Sequence, residues 1–139
     1  MRVLVIDGQG GGLGRQLVAA ILARCPEAEL TAVGTNSLAA SAMLKAGAGR
    51  AATGENAVVV NARRADIIVG PLGIVIADAL LGEITPAMAQ AVCQADAKRV
   101  LIPVNHCDNY VVGVPEGPVS ALVQAAAEKV EALCKGGCR

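Results

Sequence analysis

The chain alternates short apolar runs with longer, Ala-rich stretches in which apolar positions recur three or four residues apart. The short runs are typical of buried strands and the longer spacing of amphipathic helices. Regular alternation of the two predicts βαβ units that feed a parallel sheet. The predicted strands cover residues 2–6, 29–33, 50–52, 66–69 and 99–104. The predicted helices cover residues 14–24, 37–46, 55–63, 86–97 and 119–134.

This element order predicts a doubly wound α/β fold with a mainly parallel, five-stranded sheet between two helical layers. Residues 109–114 could add an extra strand at one edge. One domain is expected over residues 1–134, and residues 135–139 are expected to form a flexible tail. Thr85 and Pro86 predict a helix start, since Thr caps helices and Pro suits the first helical position.

Charge and aromatic content argue against a nucleic-acid partner. The chain has twelve basic and twelve acidic residues with no run of one sign, and Tyr110 is its only aromatic residue. A general nucleic-acid binder needs a basic surface and base-stacking aromatic side chains. We therefore expect no nucleic acid among the partners.

The start of the chain and its longest apolar stretch argue against export and membrane insertion. Met1-Arg2 leads directly into the first predicted strand, with no leader-like segment. The apolar stretch 67–81 is interrupted by Gly70, Pro71, Gly73 and Asp78, which suits a buried strand, a turn and a helix start better than a membrane span. A cytoplasmic protein without a membrane partner is the expectation.

The cysteines are expected to be reduced thiols, because nothing in the chain indicates export. Cys25 and Cys93 are predicted to be small buried residues of the core. Cys134 ends the last predicted helix and Cys138 lies in the predicted tail; their spacing is not C-x-x-C, and two thiols do not complete a zinc site. No metal site is predicted.

Each predicted strand runs into a polar turn that contains Gly or Asn. In an open parallel sheet all such turns meet at one rim, and ligands bind outside the carboxyl ends of the strands. The turns are residues 7–10, 34–37, 53–56, 70–73 and 105–108. Their composition predicts a ligand site at this rim.

The first turn is the most informative, because five glycines occur between Gly8 and Gly14. Such a loop between a strand and a helix presents backbone N–H groups and a helix N-terminus to a phosphate. No G-K-[ST] follows, so it is not a Walker loop. Asp7 would repel a phosphate without a cation, and we expect it to brace the loop by bonding backbone N–H groups.

The second turn lacks the acidic residue that binds ribose in many dinucleotide folds. Thr35 and Asn36 stand there instead. They could bond a ribose hydroxyl or a phosphate, and they could equally cap the following helix. A plain NAD site is therefore less favoured, and NADP or another nucleotide is the expected cofactor.

The remaining turns add further candidate contacts. Glu55 and Asn56 could contact a ligand or simply open a helix. Gly70 and Gly73 could form a wall of the site that the ligand approaches closely. The apolar residues 74–77 that follow suggest a homodimer seam. The predicted ligand-binding residues are Gly8, Gln9, Gly10, Gly11, Gly12, Gly14, Thr35, Asn36, Gly54, Glu55, Asn56, Gly70, Gly73 and Asn105.

Catalytic residues are less clearly indicated. His106 is the only histidine and precedes Cys107 and Asp108. Neighbours on an extended segment point to opposite sides, so His106 is badly placed to activate the Cys107 thiol. The catalytic candidates are therefore Cys107, as a reactive thiol at the rim, and Asp108.

Two resemblances follow from these motifs. Gly8, Gly12 and Gly14 resemble the cofactor loop of the NAD(P)-dependent short-chain dehydrogenases over about the first 25 residues. That family's Tyr-x-x-x-Lys is absent, because Tyr110 is followed by Val-Val-Gly-Val, so its chemistry is not carried over.

The fuller resemblance is to a family of short bacterial proteins classed only as a domain of unknown function. It is carried by residues 6–12, 34–36, 53–57, 70–74 and 81–86, which span most of the chain. This resemblance implies a Rossmann-like fold and no established activity.

The sequence thus predicts a domain that binds a nucleotide or another small phosphorylated ligand at the rim beside Gly8 to Gly14. Two alternatives remain open. One is a small NAD(P)-linked or Cys107-dependent enzyme. The other is a ligand-sensing accessory subunit that lacks a catalytic set.

Overall fold

A computed structural model describes residues 1–104, 108–114 and 116–136, and a five-stranded parallel sheet forms its centre. The strands are β1 (Arg2–Asp7), β2 (Glu29–Gly34), β3 (Arg50–Thr53), β4 (Ile67–Pro71) and β5 (Lys98–Ile102), in the order β3-β2-β1-β4-β5. The helices are α1 (Gly12–Arg24), α2 (Ser37–Lys45), α3 (Glu55–Arg64), α4 (Pro86–Gln94) and α5 (Val119–Gly136), with a 3₁₀ turn at Leu72–Val75. The predicted doubly wound α/β fold is confirmed.

Strand β1 explains why the sheet is buried on both faces. Val3 and Val5 point into one apolar layer, and Leu4 and Ile6 point into the other. All four are almost completely buried, as expected for the central strand of a parallel sheet. A strand with apolar residues on both faces needs helices on both sides.

The helices divide between these two layers. Helices α1, α2 and α5 contribute Leu17, Met43 and Val123 to the layer that contains Val3. Helices α3 and α4 contribute Val58 and Met88 to the opposite layer. The molecule is therefore a three-layer α/β/α sandwich, in which the chain crosses from one face to the other after β3 and again after β5.

The predicted start of α4 is confirmed. The Thr85 hydroxyl accepts a hydrogen bond from the Met88 N–H at 3.2 Å, and Pro86 occupies the first turn. The helix ends at Gln94 rather than residue 97, and α1 begins two residues before its predicted start. Within the described residues, no helix combines the length and apolarity needed to cross a membrane.

Three predictions about local structure are wrong. Residues 109–114 form no strand, because positive φ angles at Asp108 and Gly113 interrupt an extended backbone. The stretch after β4 forms a 3₁₀ turn and further turns instead of opening an α-helix. Cys93 is exposed rather than buried, whereas Cys25 lies in the core as predicted.

The apolar stretch proposed as a dimer seam is partly internal. Ile74 is fully buried in the layer formed by α3 and α4, and Val75 and Ile76 pack against that layer while half-exposed. Less apolar surface remains there than the sequence suggested. The homodimer stays a prediction.

Candidate functional site

The glycine loop lies at the point where the strand order reverses. Strand β2 follows β1 on one side, while β4 is its neighbour on the other, so the carboxyl ends of β1 and β4 flank a crevice. A pocket of about 100 Å³ opens there. It is lined by residues 7–13 of the loop, together with Pro71 after β4 and Leu80.

Gly11 shows why the loop needs glycine. Its φ of 74° is in the left-handed region, where it ends the loop as the N-cap of α1. A Cβ at this position would lie 2.7 Å from the Ala39 Cα of helix α2. The loop can therefore approach α2 only without a side chain at Gly11.

Three loop N–H groups, those of Gln9, Gly11 and Gly14, have partners within the chain. Gly11 donates to the Gly8 carbonyl at 2.9 Å, and Gly14 donates to Asp7 Oδ2 at 2.6 Å. The hydrogen bonds of the described residues give no partner to the N–H groups of Gly10, Gly12 and Leu13. These three donors beside the pocket are available to an anion, as at other helix N-termini.

Asp7 braces the loop, as predicted. Its carboxylate is 5% exposed and accepts from the Gly14 N–H beneath the first turn of α1. Burial raises the pKa of Asp7 above 3.8, backbone hydrogen bonds from Gly14 and Gly8 lower it, and the charge of Glu83 raises it. Two carboxylates therefore lie close to the loop.

Glu83 is the functional candidate that sequence reasoning missed. Its Oε1 accepts from the Gln9 N–H at 2.7 Å, and its Oε2 accepts from Asn36 Nδ2 at 2.8 Å. An acidic side chain thus lies at the carboxyl end of β2, although no acidic residue follows β2 in the sequence. It is supplied from 74 residues beyond Gln9, a separation that no local motif reveals.

Asn36 takes one of the two roles that the sequence left open, the cap of α2, and its contact with a ligand stays a prediction. Its Oδ1 caps α2 by accepting from the Ala39 N–H at 2.9 Å. Its Nδ2 donates to the Gln9 carbonyl at 2.9 Å and to Glu83. The amide therefore joins the start of α2 to the glycine loop.

Thr35 presents an unusual polar atom. Its Oγ1 is buried and has no hydrogen-bond partner among the residues that the structure describes. A Cβ on Gly8 would lie 2.7 Å from this oxygen and 3.1 Å from Glu83 Oε1, so the hydroxyl and the carboxylate face the same side of the loop. Buried hydroxyls are rarely left unpaired, which makes this one a candidate for ligand contact.

The segment that carries Glu83 has a strained backbone conformation. Asp78, Leu80 and Leu81 all have positive φ values near 60°, which is rare outside glycine. Leu80 is 5% exposed and packs over Gly73, whereas Leu81 is 96% exposed. Strain of this kind persists where surrounding contacts hold it, and here it places Leu80 and Glu83 against the loop.

The third turn opens helix α3, which is one of the two roles that the sequence left to Glu55 and Asn56. Glu55 Oε1 accepts from the Thr85 hydroxyl at 2.6 Å and so joins the start of α3 to the start of α4. Gly54 is the N-cap of α3 with a φ of 96°, and Asn56 is exposed in its first turn.

The wall of the pocket is formed by Pro71 and Leu80. Gly70 and Gly73, which were predicted to form it, are buried behind them. A Cβ on Gly70 would collide with the Ile6 carbonyl, so this glycine serves the packing of β4 against β1.

Of the two catalytic candidates, Cys107 and Asp108, the structure describes Asp108. Asn105, His106 and Cys107 lie outside the described residues, and Asp108 is exposed with a φ of 64°. In the part of the chain that is described, no three His, Cys, Asp or Glu side chains come together as a metal site would need.

Cys25 lies away from the rim, at the C-cap of α1. Burial, followed by the proximity of Cys134, raises the pKa of its thiol to about 11. Thiols with such a pKa are poor nucleophiles near neutral pH.

Two solved structures are similar to that of this chain. The structure is similar to the crystal structure of AibC, with a TM-score of 0.50 and 19% identity. That alignment covers 99% of this chain, which spans only 40% of the AibC chain. A second similar structure is a dodecameric FMN-dependent Ubix-like decarboxylase from Escherichia coli O157:H7, with a TM-score of 0.47, 20% identity, and coverage of 93% of this chain and 75% of the other.

At 19% identity the likeness to AibC bears on the fold alone, which is Rossmann-like. Curated protein sequences give no match. The family model described as "Domain of unknown function (DUF3842)" matches residues 2–135. Because this match spans nearly the whole chain, the protein belongs to the family classed as a domain of unknown function, DUF3842.

Proposed function

We propose that the carboxyl rim binds a nucleotide whose phosphate lies on the glycine loop and whose ribose meets Glu83. The observation that carries the proposal is the set of N–H groups of Gly10, Gly12 and Leu13, which have no partner among the described residues and lie beside a pocket at the strand-order switch. Backbone donors at a helix N-terminus suit phosphate oxygens better than a neutral group.

The size of the pocket limits what it can enclose. Its volume of about 100 Å³ is below the roughly 300–1,000 Å³ typical of pockets that bury a whole ligand. A phosphate group fits this space, while the remainder of a nucleotide would extend along the open rim. We favour an extension of the nucleotide towards Asn36 and Thr35, because these polar side chains lie next to the glycine loop.

Glu83 supports ribose as the neighbouring group. A carboxylate has about four acceptor positions, of which Gln9 and Asn36 take two. The remaining positions can accept from a ribose diol, and the unpaired Thr35 hydroxyl lies on the same side. The absence of an acidic residue after β2 would then be compensated by a residue from the segment before α4.

This arrangement favours a nucleotide with free ribose hydroxyls over NADP. A ribose phosphate group would face the negative charge of Glu83, and the described contacts of that carboxylate include no cationic side chain. Repulsion between the ribose phosphate group and the Glu83 carboxylate would disfavour binding. We therefore expect NAD, ADP-ribose or ADP to bind more tightly than NADP.

The phosphate site is tested by two substitutions at Gly12. A side chain there enters open space, because a Cβ meets nothing within 4 Å. Gly12→Glu would place a carboxylate at the helix N-terminus, where it stabilises the helix but repels a phosphate. Gly12→Gln is the matched neutral control.

The measurement is the shift in melting temperature that millimolar ADP, ADP-ribose, NAD or NADP produces in each variant. We expect a clear increase for the parent, a smaller one for Gly12→Gln and none for Gly12→Glu. If none of these nucleotides stabilises the parent, or if Gly12→Glu responds like Gly12→Gln, the proposal is wrong.

The ribose contact has a separate test. Glu83→Gln keeps the size of the side chain and removes its charge. Its ratio of affinities for NADP and NAD should shift towards NADP by about tenfold, the amount expected when one charged contact is altered. An unchanged ratio would leave the phosphate site intact but remove Glu83 from recognition of the ribose.

A further inference from the structure

A second polar pocket lies at the opposite end of the sheet from the glycine loop. It has a volume of about 180 Å³ and opens where β1, β2 and β3 begin and α3 ends. Its polar lining residues are Arg2, Glu29, Thr31, Arg50, Asn61 and Arg64. Neither the glycine loop nor the Glu83 segment contributes to it.

The secondary structure explains why these side chains converge. Thr31 and Arg50 are paired across β2 and β3, so they project from the same face of the sheet. Asn61 and Arg64 are three residues apart on α3 and so share one side of that helix. The final turn of α3 therefore lies over the start of the sheet with polar side chains on both surfaces.

The charges in this pocket are incompletely balanced. Arg50 and Arg64 form no ion pair within 4 Å among the residues that the structure describes. The Arg2 side chain makes one long ion pair, from Nε to Asp66 Oδ2 at 3.7 Å, and is 56% exposed, while the Arg2 backbone N–H donates to the same oxygen at 2.8 Å. Glu29 is the one carboxylate in the lining.

Each arginine has an ordinary structural role when taken alone. A cation in the last turn of a helix, as at Arg64, complements the helix dipole. A charged side chain such as Arg50 on an edge strand discourages pairing with another sheet. Neither role requires three guanidinium groups around one concave pocket.

We propose that this pocket binds a phosphate monoester of a small hydroxylated molecule. Guanidinium groups match the geometry of phosphate oxygens and remain charged at all relevant pH values. The Thr31 hydroxyl and the Asn61 carbonyl oxygen suit the hydroxyl groups of such a ligand. Asn61 Nδ2 donates one of its two N–H groups to the Ala57 carbonyl at 2.8 Å, so Oδ1 and the second N–H remain for a ligand.

Glu29 and the volume of the pocket narrow the class of ligand. A carboxylate in the lining accepts from a hydroxyl group and repels a second phosphate. The space of about 180 Å³ holds a small molecule and not a whole dinucleotide. Monoesters should therefore bind more tightly than pyrophosphates.

The test uses the full chain labelled with ¹⁵N and glycerol 3-phosphate as the probe. We expect saturable amide shifts in the segments 2–4, 29–31, 50–51 and 61–65. Glycerol at the same concentration should produce none. The double variant Arg50→Gln/Arg64→Gln should bind at least about tenfold more weakly, since two charge-assisted contacts are removed.

Arg63→Gln is the matched control, because Arg63 is adjacent on α3 but does not line the pocket. It should bind like the parent. Shifts confined to residues 8–14, equal shifts with glycerol, equal weakening by Arg63→Gln, or no saturable shift at millimolar concentrations would each overturn the proposal. The spectrum of the double variant shows directly whether it is folded.

Discussion

The two ends of the sheet differ in how their polar groups are used. At the carboxyl rim, Glu83 is bound to Gln9 and Asn36, and Asp7 is bound to Gly14. At the amino end, arginines surround a pocket with few contacts of their own. The rim is shaped by backbone conformation and buried groups, whereas the amino end depends on exposed side chains.

This difference teaches that the two sites should respond differently to mutation. A site formed by backbone N–H groups depends on the close contacts that hold its loop, so a substitution at those contacts disturbs the fold. A site formed by exposed guanidinium groups can lose its function while the fold remains intact. Substitutions at the close contacts of the rim should therefore lower stability, and substitutions of the arginines at the amino end should change binding alone.

The largest effect is expected at Gly34, where β2 leads into the turn that carries Asn36. A Cβ there would lie 2.5 Å from the Ala40 backbone nitrogen and 2.7 Å from the Asn36 carbonyl oxygen. Backbone atoms cannot rotate away, so Gly34→Ala should lower the free energy of unfolding by about 3 kcal/mol. Chemical denaturation measures this change.

Gly12→Ala is the control on the same rim. Its Cβ would meet nothing within 4 Å, and its position is helical. The variant should be as stable as the parent or more stable by up to about 1 kcal/mol. Equal losses for the two alanine variants would contradict a rim that is shaped by specific close contacts.

The fold could be predicted well because its signals are local. Val3 to Ile6 are apolar on both faces, which indicates a central parallel strand, and glycines mark the following turn. The carboxyl rim followed from topology, because the ends of parallel strands meet. These inferences needed no knowledge of distant contacts.

Glu83 could not be predicted because its position depends on backbone conformations that the sequence does not signal. Asp78, Leu80 and Leu81 adopt positive φ values although none is glycine. Tertiary packing of Leu80 selects this conformation. The arginine pocket was missed for a related reason: residues on β1, β3 and α3 meet only after the sheet has formed.

The buried carboxyl of Asp7 should make the stability of the protein depend on pH. Burial raises the pKa of its carboxyl above 3.8. The native state therefore holds the proton more tightly, so the contribution of Asp7 to stability is full below pH 3.8 and is lost as pH rises through the native pKa. Asp7→Asn removes this titration and keeps an oxygen that can accept from Gly14.

The stability of Asp7→Asn relative to the parent should therefore increase with pH across that window. The slope cannot exceed about 1.4 kcal/mol per pH unit, the value for a single proton. Urea unfolding at several values between about pH 4 and 7 measures it. A stability difference that is constant or falls with pH would show that burial does not govern this carboxyl.

A smaller effect is expected where the Glu83 segment joins α4. The Thr85 hydroxyl accepts from the Met88 N–H and donates to Glu55 Oε1. Thr85→Ala should cost about 1 kcal/mol, mainly through the lost helix cap. Thr85→Ser retains the hydroxyl and should lose less than half as much. If the two variants are equally destabilised, the methyl group rather than the hydrogen bonds holds this junction.

The smallest effect is expected from Arg50→Gln/Arg64→Gln at the amino end. Neither guanidinium has an ion pair among the described residues, and substitutions at exposed sites usually change stability by less than about 0.5 kcal/mol. The double variant should therefore unfold at the same denaturant concentration as the parent while glycerol 3-phosphate no longer stabilises it. A loss comparable to that of Gly34→Ala would mean that the arginines support the fold, and the amino end would then be as sensitive to substitution as the rim.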